Sequence, residues 1–227
     1  SMVHQNVKFI SRLLLASLLA AIVMGLSTAP IDILTLKYNW ITVAIFLVVY
    51  LFAIYLFYRI YLESVTNNHF KITKIAAKPS ARQLVITVLA MVVMLILAAV
   101  QVKFVSDAVY SIAENVADLQ ALSQRSPILM ALALGVFAPI CEELIIRGNF
   151  FSYALAERFD QPRYQLVTVI VNGVLFGLLR GGFSWVQLSY YTVMGLVLAA
   201  TYILSGRDIR VNSVVHVTAN LGLMLMA

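Results

Sequence analysis

Two carboxylates and a guanidinium stand together in an otherwise apolar run, Cys141-Glu142-Glu143-Leu144-Ile145-Ile146-Arg147-Gly148. An ionised group inside a membrane-length apolar segment costs roughly a few kcal/mol to insert, so its presence points to use. Spacing divides the three. Glu143 and Arg147 are four apart, on one helix face and in the acid-before-base order that favours pairing. Glu142 lies about 100° round the helix and is left to point elsewhere. A carboxylate in a dry site can serve as a general base. The competing reading is a charge cluster that snorkels to the membrane edge.

Two later segments add candidates. His216 and Asn220 are four apart in the run His216-Val217-Thr218-Ala219-Asn220 and share a face. Both can donate hydrogen bonds to the oxyanion of a tetrahedral intermediate, although a His and an Asn in a span also serve as interhelical glue. Arg180 ends the run Phe176-Gly177-Leu178-Leu179-Arg180. Glu142 and Arg180 each stand 19 residues from Gln161, so an antiparallel helical hairpin turning there brings them to one depth. Asn172, eight before Arg180, falls on roughly the same face and could join them. Glu142, Arg180, His216 and Asn220 are therefore expected to line one polar cavity, within about 8 Å of one another, because isolated charges in a membrane are too costly. Cys141 has no identified base partner and is a poor nucleophile candidate. One histidine and two acids, one of them tied to Arg147, make a poor zinc set, so neither a metal nor any other cofactor is expected.

The scaffold follows from composition. Of the 227 residues, 62% are hydrophobic and 11% charged, whereas soluble domains carry about a quarter charged residues. Apolar runs of about 20 residues recur, each long enough to cross a bilayer, and a lipid-exposed backbone must satisfy its hydrogen bonds as helix. The expected fold is all-α, a polytopic membrane bundle of about seven transmembrane helices forming one membrane-embedded domain over 1–227. The spans fall near 9–27, 40–62, 84–105, 127–148 (extending toward 158), 165–179, 186–204 and 213–226. The first apolar segment lacks a convincing small-residue cleavage site and reads as a retained span. Gly173, Gly177 and Gly181 repeat every four residues, a spacing that lets two helices approach closely.

The net charge of +6 does not indicate nucleic acid, because the basic residues sit between spans. Lys8 and Arg12, then Arg59, Lys71, Lys74, Lys78 and Arg82, then Arg158 and Arg163, then Arg207 and Arg210 mark alternate connections. Lys37, Lys103 and Arg125 lie on the other side beside Asp32, Asp107, Glu114 and Asp118. The positive-inside rule then places the N-terminus in the cytoplasm of an integral membrane protein. The expected partners are the lipid bilayer and a membrane-associated peptide or protein. The single cysteine forms no internal disulfide.

The order and spacing of these signals resemble the membrane family of CAAX prenyl endopeptidases and bacteriocin-processing or self-immunity proteins, known as CPBP or Abi. Its pattern is Glu-Glu-x-x-x-Arg, then Phe-x-x-x-His, then a His with Asn or Asp four residues on. Glu142, Glu143 and Arg147 match the first, Phe176 the start of the second, and His216 with Asn220 the third. The resemblance covers about 127–227. It implies a glutamate-dependent intramembrane endopeptidase acting on a membrane-associated peptide or bacteriocin-like precursor in a bacterial plasma membrane, with Glu142 as base and His216 and Asn220 as stabilisers. Arg180 departs from the pattern by standing where the family has histidine. An arginine opposite Glu142 favours the carboxylate and weakens it as a base. The alternative is accordingly a catalytically silent relative that binds and regulates a membrane partner or confers bacteriocin self-immunity.

Overall fold

In a computed structural model, residues 2–67, 77–104, 116–182 and 184–227 are described. Sequence expectations for His69, Lys71, Lys74, Asp107, Glu114 and the side chain of Asp118 lie outside the described residues. Helices α1 (Met2–Leu26), α2 (Ile31–Leu36), α3 (Trp40–Asn67), α4 (Ala81–Phe104) and α5 (Val116–Arg125) precede a broken helical span from Pro127 to Arg158. After it come α9 (Pro162–Gly181), α10 (Trp185–Leu204) and α11 (Ile209–Met226). Seven helical spans among the described residues are long and apolar enough to cross a membrane, so the protein is an all-α polytopic bundle. The outward faces of α3 and α4 carry Val48, Phe52, Val88 and Ile96, all exposed, as lipid-facing positions should.

Helix ends follow local chemistry. Pro162 occupies the first turn of α9, where its missing N–H is not needed. Gly182, with φ 55°, ends that helix in a conformation that glycine adopts without penalty. Ser184 caps α10 by accepting from the Gln187 N–H, and Asp208 caps α11 by accepting from the Arg210 N–H at 3.0 Å. The fifth and last spans therefore extend a few residues beyond their expected bounds.

The broken span is the element that differs most from a plain helix. It alternates α6 (Pro127–Met130), a π segment (Ala131–Phe137), α7 (Ala138–Glu142), a second π segment (Glu143–Asn149), α8 (Phe150–Leu155) and a 3₁₀ turn (Ala156–Arg158). Pro139 sits in the first turn of α7. It donates no N–H, and its ring crowds the carbonyl four residues earlier, so an α ladder cannot run through it. Ala156, with φ 44°, then terminates α8 and opens the closing 3₁₀ turn.

The glycine stripe seats α9 on α10. A Cβ on Gly173 would fall 2.8 Å from the Leu196 backbone nitrogen, and one on Gly177 would fall 2.8 Å from Thr192 Cα. This is the backbone-to-backbone approach expected of small residues spaced by four. It fixes the hairpin register that sets the depth of Arg180.

Candidate active site

Three spans bring their polar residues to one buried cluster. Glu142, Glu143, Arg147, Arg180 and His216 are all at least nine-tenths buried. Glu143 Oε1 accepts from Arg147 Nη1 at 2.9 Å along its own helix, as the i,i+4 spacing predicts. The same oxygen lies 2.6 Å from His216 Nδ1. Glu143 thus does more than neutralise Arg147, because it also fixes the orientation of the imidazole on α11. Its second oxygen accepts from Asn212 Nδ2 at 3.1 Å, while the same amide nitrogen donates to the Leu198 carbonyl at 2.8 Å.

Glu142 turns away from that network. Its Oε1 accepts from Arg180 Nη2 and, at 3.2 Å, from Ser27 Oγ. The antiparallel hairpin therefore produces the predicted meeting of Glu142 and Arg180. Glu142 Oε2 faces His216 Nε2 at 3.6 Å, and neither atom has a hydrogen-bond partner. If Nδ1 donates to Glu143, Nε2 presents a lone pair to a carboxylate oxygen, which repels it. A donor shared between the two atoms, or a proton on either, removes that repulsion. Buried partnerless polar atoms that face each other in this way are rare and call for an explanation, such as a water or ion held between them.

A cavity of about 20 Å³ lies on the His216 side of this pair, lined by Leu134, Arg180, Tyr191, His216 and Asn220, with Leu223 and Met224, and Glu142 is not part of its wall. That volume suffices for about one water molecule. Asn220 Nδ2 donates to the Leu134 carbonyl at 2.8 Å, which leaves its other N–H for a ligand. Leu134 lies in the first π segment. The second frees a carbonyl in the same way, and Ile146 O accepts from Asn172 Nδ2 at 2.7 Å. Asn172 therefore locks the span to α9 and does not join Glu142 and Arg180, as its helical face had suggested. Rerouted π turns of this kind occur frequently at functional sites.

Phe176 is the apolar centre of the cluster. Its fully buried ring lies 4.6 Å from the Arg147 guanidinium, 6.0 Å from that of Arg180, and 5.7 Å edge-to-face from His216. Cations near an aromatic face are stabilised by its quadrupole, so the ring helps hold two buried arginines close together.

Sequence reasoning missed Asn212 and Ser27. Asn212 stands one turn before His216, so extending the four-residue spacing upstream would have found it. Ser27 follows the end of α1, and its carbonyl accepts from Tyr50 Oη at 2.7 Å. No local pattern distinguishes it, because only the packing of α1 and α3 beside the broken span brings it to Glu142. Cys141 is buried and free of disulfide. Among the described residues, no group of three His, Cys, Asp or Glu side chains is arranged to hold a metal ion. His216 does contact both glutamates, but through different ring nitrogens, and each carboxylate already has an arginine on it.

No curated protein and no solved structure matches the chain. Residues 124–222 match a family model described as type II CAAX prenyl endopeptidase Rce1-like. The matched stretch, less than half of the chain, contains Glu142, Glu143, Arg147, Phe176, Arg180, His216 and Asn220, and it supports a likeness to the CPBP family of CAAX-type membrane proteases.

Proposed function

We propose that the protein is a glutamate-dependent intramembrane endopeptidase acting on a membrane-associated peptide. Glu142 Oε2 and His216 Nε2 together take the proton of a water that attacks the scissile carbonyl. Arg180 holds the other oxygen of Glu142, and with the second N–H of Asn220 it offers donors to the developing oxyanion. Glu143 positions His216, with Arg147 and Asn212 holding Glu143 in turn. The observation that carries this reading is the pair of buried, partnerless atoms on Glu142 and His216, 3.6 Å apart, with a cavity of about one water against His216. It also answers the departure at Arg180. The arginine engages Oε1 and leaves Oε2 for chemistry.

One observation favours a second reading. The Arg180–Glu142 ion pair occupies one oxygen of the carboxylate, as expected of a silent relative that keeps the fold to bind a membrane partner. Turnover of candidate membrane peptides in liposomes separates the two by the sign of one substitution. For the peptidase, wild type cleaves, Glu142→Gln loses about 10²–10⁴-fold in rate, and Arg180→His loses activity as well. For the silent relative, wild type is inert and Arg180→His gains cleavage. Wild-type activity that survives Glu142→Gln rejects the glutamate mechanism.

A further inference from the structure

A second concavity lies on the membrane-facing side of the bundle, between the later half of α4 and the first half of α10. It is an open groove of about 480 Å³, walled by Leu97 and Val100 on α4 and by Val186, Tyr190 and Val193 on α10. Its wall also includes Gln101, which is 2% exposed and whose amide Nε2 has no hydrogen-bond partner. A buried amide donor left without an acceptor costs about 1–3 kcal/mol, which makes it unfavourable in a groove meant only for hydrocarbon. The groove also lies next to the cavity of the site. Tyr190 packs edge-to-face on Tyr191 with ring centroids 4.9 Å apart, and Tyr191 lines the cavity beside Arg180 and His216. Two aromatic rings thus form the partition between groove and cavity.

We infer that this groove is a substrate-docking site, which takes an extended apolar polypeptide segment from the bilayer, with a backbone carbonyl of that segment accepting from Gln101. The inference rests on the endopeptidase reading above and adds where the substrate lies. An extended peptide in lipid has unpaired carbonyls along its length and must find donors. Gln101 supplies one from the wall of a mostly apolar trough. A saturated acyl chain has no acceptor to offer, and a lipid ester carbonyl is the competing occupant.

The test is cross-linking in phosphatidylcholine liposomes on a Cys141→Ala background. The probe is a synthetic leucine- and alanine-rich peptide of about twenty residues, broken centrally by Gly-Pro and bearing one cysteine. Val193→Cys reports the groove. Val174→Cys on α9 is the control, because the two positions are 42% and 41% exposed and lie at similar distances from the same end of the α9–α10 hairpin. Disulfide formation is expected to be about tenfold faster at position 193 than at 174, and Gln101→Leu should bring it down toward the control rate. Equal rates at the two positions overturn the proposal whether or not the Gln101 variant folds. A fast rate unchanged by Gln101→Leu, in a variant with wild-type thermal melting, overturns the hydrogen bond assigned to Gln101. Cross-linking reads docking without cleavage. Docking without turnover would count against the catalytic reading alone, and turnover with equal cross-linking rates against the groove alone.

Discussion

Two buried carboxylate clusters in this bundle are built from similar residue types and finished differently. At the turn between α10 and α11, Asp208 Oδ1 accepts from the Arg210 backbone N–H and Nε, both at 3.0 Å, and Oδ2 accepts from Arg210 Nη2 at 2.8 Å and Gln83 Nε2 at 3.1 Å. Gln83 reaches on to the Ser205 carbonyl, and Arg210 to that of Ala77. Both oxygens of Asp208 are saturated, and the cluster clamps the start of α4 to the start of α11. In the site, Glu143 is equally well supplied, but Glu142 keeps one oxygen without a partner opposite a ring nitrogen in the same condition. A network that needs only to hold helices closes on itself. One that needs to act leaves valences facing each other, at a cost that the surrounding contacts must offset.

The comparison can be broken most decisively at His216. His216→Ala should lower peptide turnover by about 10²-fold or more, whereas Asp208→Asn should leave turnover nearly unchanged, both measured per folded protein in liposomes. Comparable losses in the two variants would make the site and the clamp equivalent. Arg147→Ala sharpens the same contrast through stability. It leaves Glu143 buried without its cation, so unfolding in detergent should show a loss of about 3–5 kcal/mol. Melting at the wild-type temperature would mean that Arg147 contributes nothing there. Asp208→Asn keeps the volume of the clamp but removes its charge, with an expected loss of about 1.5–3 kcal/mol in the same assay. The smallest effect belongs to Ser27→Ala, at about 0.5–1.5 kcal/mol, since Glu142 keeps Arg180 on the same oxygen. A larger loss there would show that α1 is held to the site chiefly through this hydroxyl.

How much of this was legible in the sequence depended on the range of the interaction. Helical class, the spans and the Glu143–Arg147 pair follow from periodicity and i,i+4 spacing, which the chain carries locally. The meeting of Glu142 with Arg180 was also legible, because a tight turn near Gln161 makes equal sequence offsets equal depths. The joint grip of Glu143 on His216 and Asn212 was not, since it requires the rotation of α11 about its own axis. Asn172 went to a freed carbonyl because the second π segment, invisible to a count of 3.6 residues per turn, exposed Ile146 O. Ser27 was hidden for a third reason: its partner is 115 positions away, and nothing but packing selects it.

The two π segments have a consequence for which changes this span can tolerate. Each π turn bonds to the fifth residue along rather than the fourth, so it holds a residue that an α-helix of the same reach would not contain. The surplus works as a vernier between the parts of the span before and after it. Deleting one residue from 131–137 would remove that surplus and let the stretch close to α geometry, with the parts before and after it near their present rotation. Glu142 would keep Arg180 and Glu143 would keep His216, and the loss would fall on the freed Leu134 carbonyl and its bond from Asn220. Deleting one residue from the α stretch 138–141 would instead turn both acids about 100° relative to the residues before them, with every side chain of the cluster still present.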